Sequence, residues 1–239
     1  MHLQKQQLIV FLGLISSLIV AFRPLQKNKL EGAWRLTEPS GTIVMLTMAD
    51  NYLIQTTYEP NRFISTRGGA FRQEGNQLNL MVEFDTKDSS RVGQTETYPI
   101  TISKGQLTMT SPGSNRVFTQ LSELSTPLTG LWRITERAND AGQMTMMQRG
   151  PRKTIKLLTG SRFQWVAINP QTKQFSGTGG GTYVLKSGIY TETIDFFSRD
   201  NGRVGRSLTF KAAIDQDEWH HTGQSSTGGA VNEIWTREK

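Results

Sequence analysis

Hydrophobic and polar residues alternate with a period of two along most of the chain. In the run 190–196 every second residue is large or acidic, and the residues between them are small and polar. The same alternation recurs at 42–48, 95–102 and 208–214. Turn-forming residues interrupt these runs at 49–51, 74–76, 104–105, 159–161, 200–202 and 215–217. Short alternating segments separated by such turns predict an antiparallel β-sandwich or barrel, and no segment after residue 30 has the periodicity of an amphipathic helix.

The chain contains an internal repeat. Residues 30–38 resemble residues 128–136 at an offset of 98. Three later matches share an offset of 112: 68–71 with 180–183, 82–84 with 194–196, and 91–93 with 203–205. Several matches at one offset indicate duplication. The change of offset predicts an insertion of 14 residues near 139–151.

The repeat divides the chain into two homologous domains. We predict one copy at 30–123 and a second at 127–239, joined by the short polar linker 122–127. About eight strands fit in each copy, and closing them into an up-and-down barrel removes the exposed sheet edges. The expected fold is therefore all-β, with two tandem antiparallel barrels. A barrel of eight strands is either filled by side chains or holds one small ligand.

An apolar segment precedes the repeat. Residues 8–22 carry no charge, follow Lys5 and end before Arg23. This run of 15 is shorter than the ~20 residues of a membrane-spanning helix and has the organisation of a secretory signal. We expect an N-terminal hydrophobic helix within 1–29, either a cleaved signal peptide or a signal anchor. The folded part is then exported to the periplasm, the outer envelope or the medium, and meets the membrane only through this segment.

Composition removes several classes of site. The 239 residues include no cysteine and only three histidines, His2, His220 and His221. Disulfides, thiolate zinc sites and cysteine nucleophiles are therefore excluded, and we expect no metal centre and no cofactor. The glycine pairs and triplets at 68–69 and 179–181 lack the following Lys-Ser/Thr and helix of a phosphate-binding loop.

Charge offers little support for nucleic-acid binding. The formal net charge is +7, of which residues 1–29 contribute +4. The second half is mildly basic, with a cluster at Arg149, Arg152, Lys153 and Lys156. We interpret this cluster as a solvent-exposed hairpin and not as a site for an anionic partner. The remaining net charge of +3 on residues 30–239 is too small for a nucleic-acid footprint.

Two Gly-x-Trp motifs, at 32–34 and 130–132, resemble the signature of the lipocalins and the wider calycin superfamily. The resemblance implies that Trp34 and Trp132 each plug one end of a barrel, with Arg237 packed across the second tryptophan. The first copy has Gln120 where that arginine is expected. The second copy matches better, and it resembles bacterial lipocalin-like envelope proteins at 163–165, 179–183, 190–192, 196–198, 203–205, 219–223 and 232–235. This resemblance implies no particular reaction.

A candidate ligand site follows from the strand faces of the second copy. Its residues are the aromatic and polar side chains predicted to point inward: Trp165, Tyr183, Tyr190, Glu192, His221 and Glu233. Adjacent residues on a strand point to opposite faces, so only one of His220 and His221 can lie inside. A buried Glu192 needs a partner, such as His221, Tyr183 or an arginine.

Three functions remain open at this point. The leading hypothesis is a non-enzymatic envelope protein that holds a small, mostly apolar ligand in the second barrel. The second is an interaction module with solid barrels and a working outer surface, for which the Met-rich segment 143–147 is either a binding hairpin or an ordinary strand extension. The third is an acid–base enzyme using Glu192 and His221, and haem binding through His221 is the weakest alternative. We assign no catalytic residue, and the oligomeric state stays open.

Overall fold

The computed structural model describes residues 29–111 and 113–238. These residues form two closed, antiparallel, eight-stranded barrels. Within this part of the chain the helices are two three-residue 3₁₀ turns, neither long enough to cross a membrane. The predicted N-terminal helix, with the apolar run 8–22, lies outside the described residues.

The first barrel uses eight of nine strands. They are β1 (Gly32–Thr37), β2 (Ile43–Ala49), β3 (Tyr52–Glu59), β4 (Arg62–Glu74), β5 (Gln77–Met81), β6 (Phe84–Asp85), β7 (Thr95–Ser103), β8 (Gln106–Ser111) and β9 (Ser114–Gln120). Each strand except β6 pairs with its neighbours in the chain, and β9 returns to β1 to close the barrel. The two-residue β6 adds to β4.

The second barrel repeats this order. Its strands are β10 (Gly130–Ala138), β11 (Met144–Met146), β12 (Lys153–Leu158), β13 (Arg162–Asn169), β14 (Gln174–Lys186), β15 (Ile189–Phe197), β16 (Ser207–Asp215), β17 (Glu218–Gln224) and β18 (Ala230–Arg237). The barrel closes through pairing of β10 with β18. The short β11 folds back on β10 as a hairpin. The alternating runs predicted at 42–48, 95–102, 190–196 and 208–214 are confirmed as strands β2, β7, β15 and β16.

The strand registers refine the predicted insertion. The offset between strand starts is 98 for β1 and β10, 110 for β2 and β12, 112 from β4 and β14 to β8 and β17, and 116 for β9 and β18. The insertion is therefore divided: twelve residues enlarge the β10–β12 connection, and two lengthen the turn between β13 and β14. The sequence matches placed the whole insertion at one point because none of them lies between residues 136 and 180, where the offset is 110.

Glycine pairs in both copies mark the same close approach of strands. A Cβ built on Gly69 would lie 1.9 Å from the Met81 carbonyl oxygen, and one built on Gly181 would lie 1.9 Å from that of Thr193. Real Cβ atoms do not approach backbone this closely, so each position accepts only glycine. The repeated constraint explains why these pairs carry the sequence repeat.

One end of each barrel is closed by its tryptophan. Trp34 and Trp132 are fully buried, and their indole nitrogens donate to the carbonyl oxygens of Leu30 and Leu128 at 2.8 and 2.7 Å. The Arg237 guanidinium lies 4.3 Å from the centre of a Trp132 ring, a cation–π contact. In the first barrel Gln120 pairs with Trp34 at the matching place in the register.

The barrels pack side by side through β2–β4 of the first and β12–β15 of the second. Apolar residues from both fill the junction: Ala49, Tyr52, Ile54, Phe84, Leu131, Ile155, Leu157, Val166 and Ile168. Gln164, buried at its centre, accepts a hydrogen bond from the Thr56 hydroxyl at 2.8 Å and donates to that of Thr66 at 3.1 Å. Strand β12 is thus buried on both faces, because one faces this junction and the other faces the barrel interior.

Candidate functional site

The second barrel contains a cavity of about 620 Å³. Its lining includes the apolar side chains Phe163, Trp165, Ile194, Phe197, Leu208, Phe210, Val231 and Trp235. It opens at the end opposite Trp132, where the enlarged β10–β12 connection and the turns after β13, β15 and β17 lie. Four of the six candidate residues line it, namely Trp165, Glu192, His221 and Glu233.

Tyr183 lies nearer the closed end and does not line the cavity. Its hydroxyl is 2.7 Å from the Thr126 hydroxyl and donates to the Thr159 carbonyl oxygen at 2.6 Å. Burial raises the pKa of Tyr183 to about 12, so the phenol stays neutral. Tyr183 therefore fixes the linker end of the barrel, and assigning it to the ligand site was a misplacement.

Tyr190 lies beneath the cavity floor, fully buried. Its hydroxyl donates to Glu192 Oε2 at 2.9 Å, and its ring packs edge-on against Trp219 at 5.3 Å. Burial, followed by the charge of Glu192, raises the pKa of Tyr190 well above its ordinary value. Tyr190 thus supports the site from below.

Lys156 is the partner of Glu192. The ammonium donates to Glu192 Oε2 at 3.1 Å, and both side chains are more than nine-tenths buried. Four aromatic rings surround the ammonium, with centroids 4.9 to 5.8 Å away: Phe163, Tyr190, Trp219 and Trp235. An ion pair this deep needs such compensation, because both charges have lost their water.

The interpretation of Lys156 as part of a solvent-exposed hairpin was therefore wrong. It lines the cavity, whereas Arg149 and Arg152 are exposed on the enlarged β10–β12 connection. The alternation of residues in β12 could have indicated that Lys156 is buried. Its two neighbours, Ile155 and Leu157, are apolar and face the barrel junction. The residue between them must point into the barrel.

Glu233 has its own set of partners. Its Oε1 accepts two hydrogen bonds from Arg137, at 2.6 and 3.0 Å, and its Oε2 accepts one from the Trp235 indole nitrogen at 3.0 Å. Burial alone would raise the pKa of Glu233, but interactions with His221, Arg137 and Lys156 outweigh it and lower the pKa to about 2. Glu233 is therefore a carboxylate at neutral pH.

His221 is the least satisfied polar group of the cavity. Its residue is 4% exposed, and neither ring nitrogen has a hydrogen-bond partner in the described part of the chain. Nδ1 lies 3.5 Å from Glu233 Oε2, too far for a good hydrogen bond. Burial lowers the pKa of His221, so the imidazole is neutral, with one donor and one acceptor open. His220 points outward beside Glu218, which confirms that the two histidines occupy opposite faces.

This buried imidazole links stability to pH. Its pKa is lowered in the folded protein but stays near ~6.5 in the unfolded chain, which therefore binds the proton first as the pH falls. We expect the free energy of unfolding, measured with urea, to decrease between pH 7 and pH 5. The charged groups that face His221 are Glu233, Lys156 and Glu192.

The matched variants for this prediction come from the chain itself. His221→Met introduces the residue that the first copy carries at position 109, and it should show a smaller decrease between the two pH values than the wild type. His220→Gln changes an exposed histidine and should behave as the wild type does. Equal pH dependence in His221→Met and the wild type would contradict the assignment. Glu233, with its pKa of about 2, gives a separate loss below pH 4.5.

The acid–base pairing of Glu192 with His221 is not present in this geometry. Glu192 Oε2 is held by Lys156 and Tyr190, and His221 makes no hydrogen bond to it in the described residues. Residues 29–111 and 113–238 also bring no three Asp, Glu or His side chains together in an arrangement that suits a metal ion.

The first barrel distributes its buried charge differently. Leu46, Leu80 and Met109 occupy the positions of Lys156, Glu192 and His221. Its cavity, of about 820 Å³, instead has an ionic network nearer the mouth, in which Arg67 and Arg91 both contact Glu96 and Asp85. The polar cluster of Lys156, Glu192 and His221 is thus particular to the second barrel.

No protein-family model matches the chain, and no curated protein matches it. The resemblance to the lipocalins stays a prediction from the sequence.

Proposed function

We propose that the protein is a non-enzymatic binding protein of the cell envelope that holds a small, mostly apolar ligand in the second, lipocalin-like barrel. The observation that carries this proposal is an open cavity of about 620 Å³ in which the buried His221 has no hydrogen-bond partner among the described residues. Placement in the envelope rests on the apolar run 8–22.

The cavity has the size and composition of a small-molecule site. Sites of this kind span roughly 300–1,000 Å³ and combine apolar walls with a few polar groups that orient the ligand. Here Trp165, Phe197 and Phe210 supply aromatic wall, and His221 offers one donor and one acceptor. An unpaired buried polar group costs free energy, which a ligand hydrogen bond would recover.

Binding is better supported than acid–base catalysis. A general base must reach the proton that it removes, and its lone pairs must be available. Glu192 already accepts hydrogen bonds from Lys156 and Tyr190, and Glu233 accepts them from Arg137 and Trp235. Both carboxylates are therefore engaged in holding the barrel interior together.

The test uses N-phenyl-1-naphthylamine, a neutral dye that fluoresces when it leaves water. We expect the full chain to bind it, and Ala167→Trp, which places an indole in the cavity wall, to weaken binding about tenfold, or ~1.4 kcal/mol. Val184→Trp is the matched control, because Val184 is 64% exposed on the outside of β14 and should leave the affinity unchanged. No binding by the wild type would overturn the proposal.

A surface role is the second candidate, favoured by one observation. On the β10–β11 hairpin Met146 is 83% exposed, and Met144 and Met147 are 37% and 42% exposed. Exposed methionines are typical of adaptable binding surfaces. The same dye titration separates the two candidates, since a dye bound to this hairpin would be insensitive to Ala167→Trp.

A further inference from the structure

We propose that the ligand of the second barrel is an organic anion, with its acidic group held at the mouth near Arg152, Arg199 and Arg203 and its apolar body inside. This inference rests on the proposed binding function and specifies the class of ligand. The acidic groups inside the cavity are paired with cations, whereas two of the arginines at its mouth have no acidic partner among the described residues.

The mouth of the second barrel is strongly basic. Four connections form it, at 139–152, 170–173, 198–206 and 225–229. They carry six bases and two acids: Arg149, Arg152, Lys173, Arg199, Arg203 and Arg206 against Asp140 and Asp200. Of the bases, Arg152, Arg199 and Arg203 line the cavity, and Arg149 is paired with Glu238 at 2.7 Å. The corresponding connections of the first barrel, at 38–42, 60–61, 86–94 and 112–113, carry two of each. The excess of positive charge is therefore specific to the connections of the second barrel.

Two of the cavity-lining arginines have no acidic partner in the described part of the chain. The Arg152 side chain is exposed and makes no ion pair or hydrogen bond there. The Arg199 guanidinium donates from Nε and Nη2 to the Ser176 carbonyl oxygen, a neutral acceptor. Both guanidinium groups keep donors free for a carboxylate, sulfonate or phosphate.

Arg203 joins this positive mouth to the apolar wall. Its guanidinium lies 5.0 Å from the centre of the Phe197 ring, and Phe197 packs edge-on against Trp165 at 5.6 Å. Asp200 offsets part of its charge at 3.2 Å. A ligand with an acidic group next to a ring or alkyl body could therefore place the acidic group at the Arg203 guanidinium and the apolar body against Phe197 and Trp165.

The interior leaves no site for a cationic ligand. The two buried carboxylates of the cavity, Glu192 and Glu233, are paired with Lys156 and Arg137. The uncompensated charge of the cavity is thus positive and lies at its mouth, where it attracts anions from solution and selects against cations.

The experiment compares two dyes that share one ring framework. 1-Anilinonaphthalene-8-sulfonate carries a sulfonate that N-phenyl-1-naphthylamine lacks, so the ratio of their affinities isolates the contribution of the charge. For the full chain, Arg152→Gln combined with Arg199→Gln should lower the affinity for the sulfonate about tenfold and leave that for the neutral dye unchanged. Arg152→Gln alone, which disturbs no contact within the described residues, should give part of this loss.

Arg72→Gln combined with Lys211→Gln is the matched control. This variant also removes two positive charges, but from exposed strand positions outside the cavity. The ratio of the two dye affinities should therefore stay as in the wild type. The inference is overturned if the ratio is unchanged in the Arg152 and Arg199 variants, or if the control lowers it equally. A failure of the proposed binding function gives a different result: Ala167→Trp then changes the affinity for neither dye.

Discussion

Replacing Lys156 with methionine is expected to lower the free energy of unfolding by about 3–5 kcal/mol. Methionine matches the length of the lysine stem and keeps its packing against the surrounding rings, but it leaves Glu192 as a buried carboxylate without a cation. Urea unfolding at pH 7, followed by tryptophan fluorescence, gives the change. The size of the effect follows from burial, because an exposed ion pair contributes only about 0–1 kcal/mol.

The decisive control neutralises both partners. Lys156→Met combined with Glu192→Gln removes the uncompensated charge while keeping an acceptor for the Tyr190 hydroxyl. We expect this double variant to recover most of the stability lost by Lys156→Met. If the single variant is as stable as the wild type, or if the double variant recovers nothing, Lys156 and Glu192 do not form the buried pair described above.

Gly181→Ala should be the second severe change, with a loss of stability of about 3 kcal/mol, the upper end of the usual cost of overpacking. The added methyl group would meet backbone atoms on the neighbouring strand, the Thr193 carbonyl oxygen at 1.9 Å and the Asp195 nitrogen at 2.8 Å. A side chain could rotate away from such a contact, but a paired strand has to shift as a whole. Thermal unfolding measured by circular dichroism reports the loss.

Gly150→Ala provides the matched control for this substitution. A Cβ at Gly150 has no neighbour within 4 Å, so its stability should stay within about 0.5 kcal/mol of the wild type. Gly69→Ala tests the same contact in the first barrel, where the Met81 carbonyl oxygen is 1.9 Å away, and should be comparably damaging. Equal stability of Gly181→Ala and Gly150→Ala would contradict the close strand approach.

The fold was predictable because the sequence repeats its local constraints. The alternation at 95–102 and 208–214 became β7 and β16, and the glycine pairs mark the same strand crossing in both copies. Period and turn spacing are local properties of a strand, so they can be read without tertiary information. In the second barrel Arg237 lies over the Trp132 ring, a contact that the resemblance implied.

The interior chemistry was only partly predictable. The strand period gives the face of Glu192, His221 and Glu233, but not the depth of a residue along the barrel, which is why Tyr183 was misplaced. Lys156 was missed because a lysine in a basic run is normally exposed, and only tertiary packing buries β12 on both faces. The junction between the barrels likewise depends on contacts between residues about 100 positions apart, such as Thr56 with Gln164.

Native mass spectrometry of the full chain, purified from its own envelope fraction beside the Ala167→Trp variant, tests the occupied cavity most directly. The wild type should carry a small molecule that dissociates on activation, and the bound fraction should be markedly lower in the Ala167→Trp variant. Bare polypeptide in both spectra, or the same bound fraction in both, would contradict a ligand held inside the second barrel.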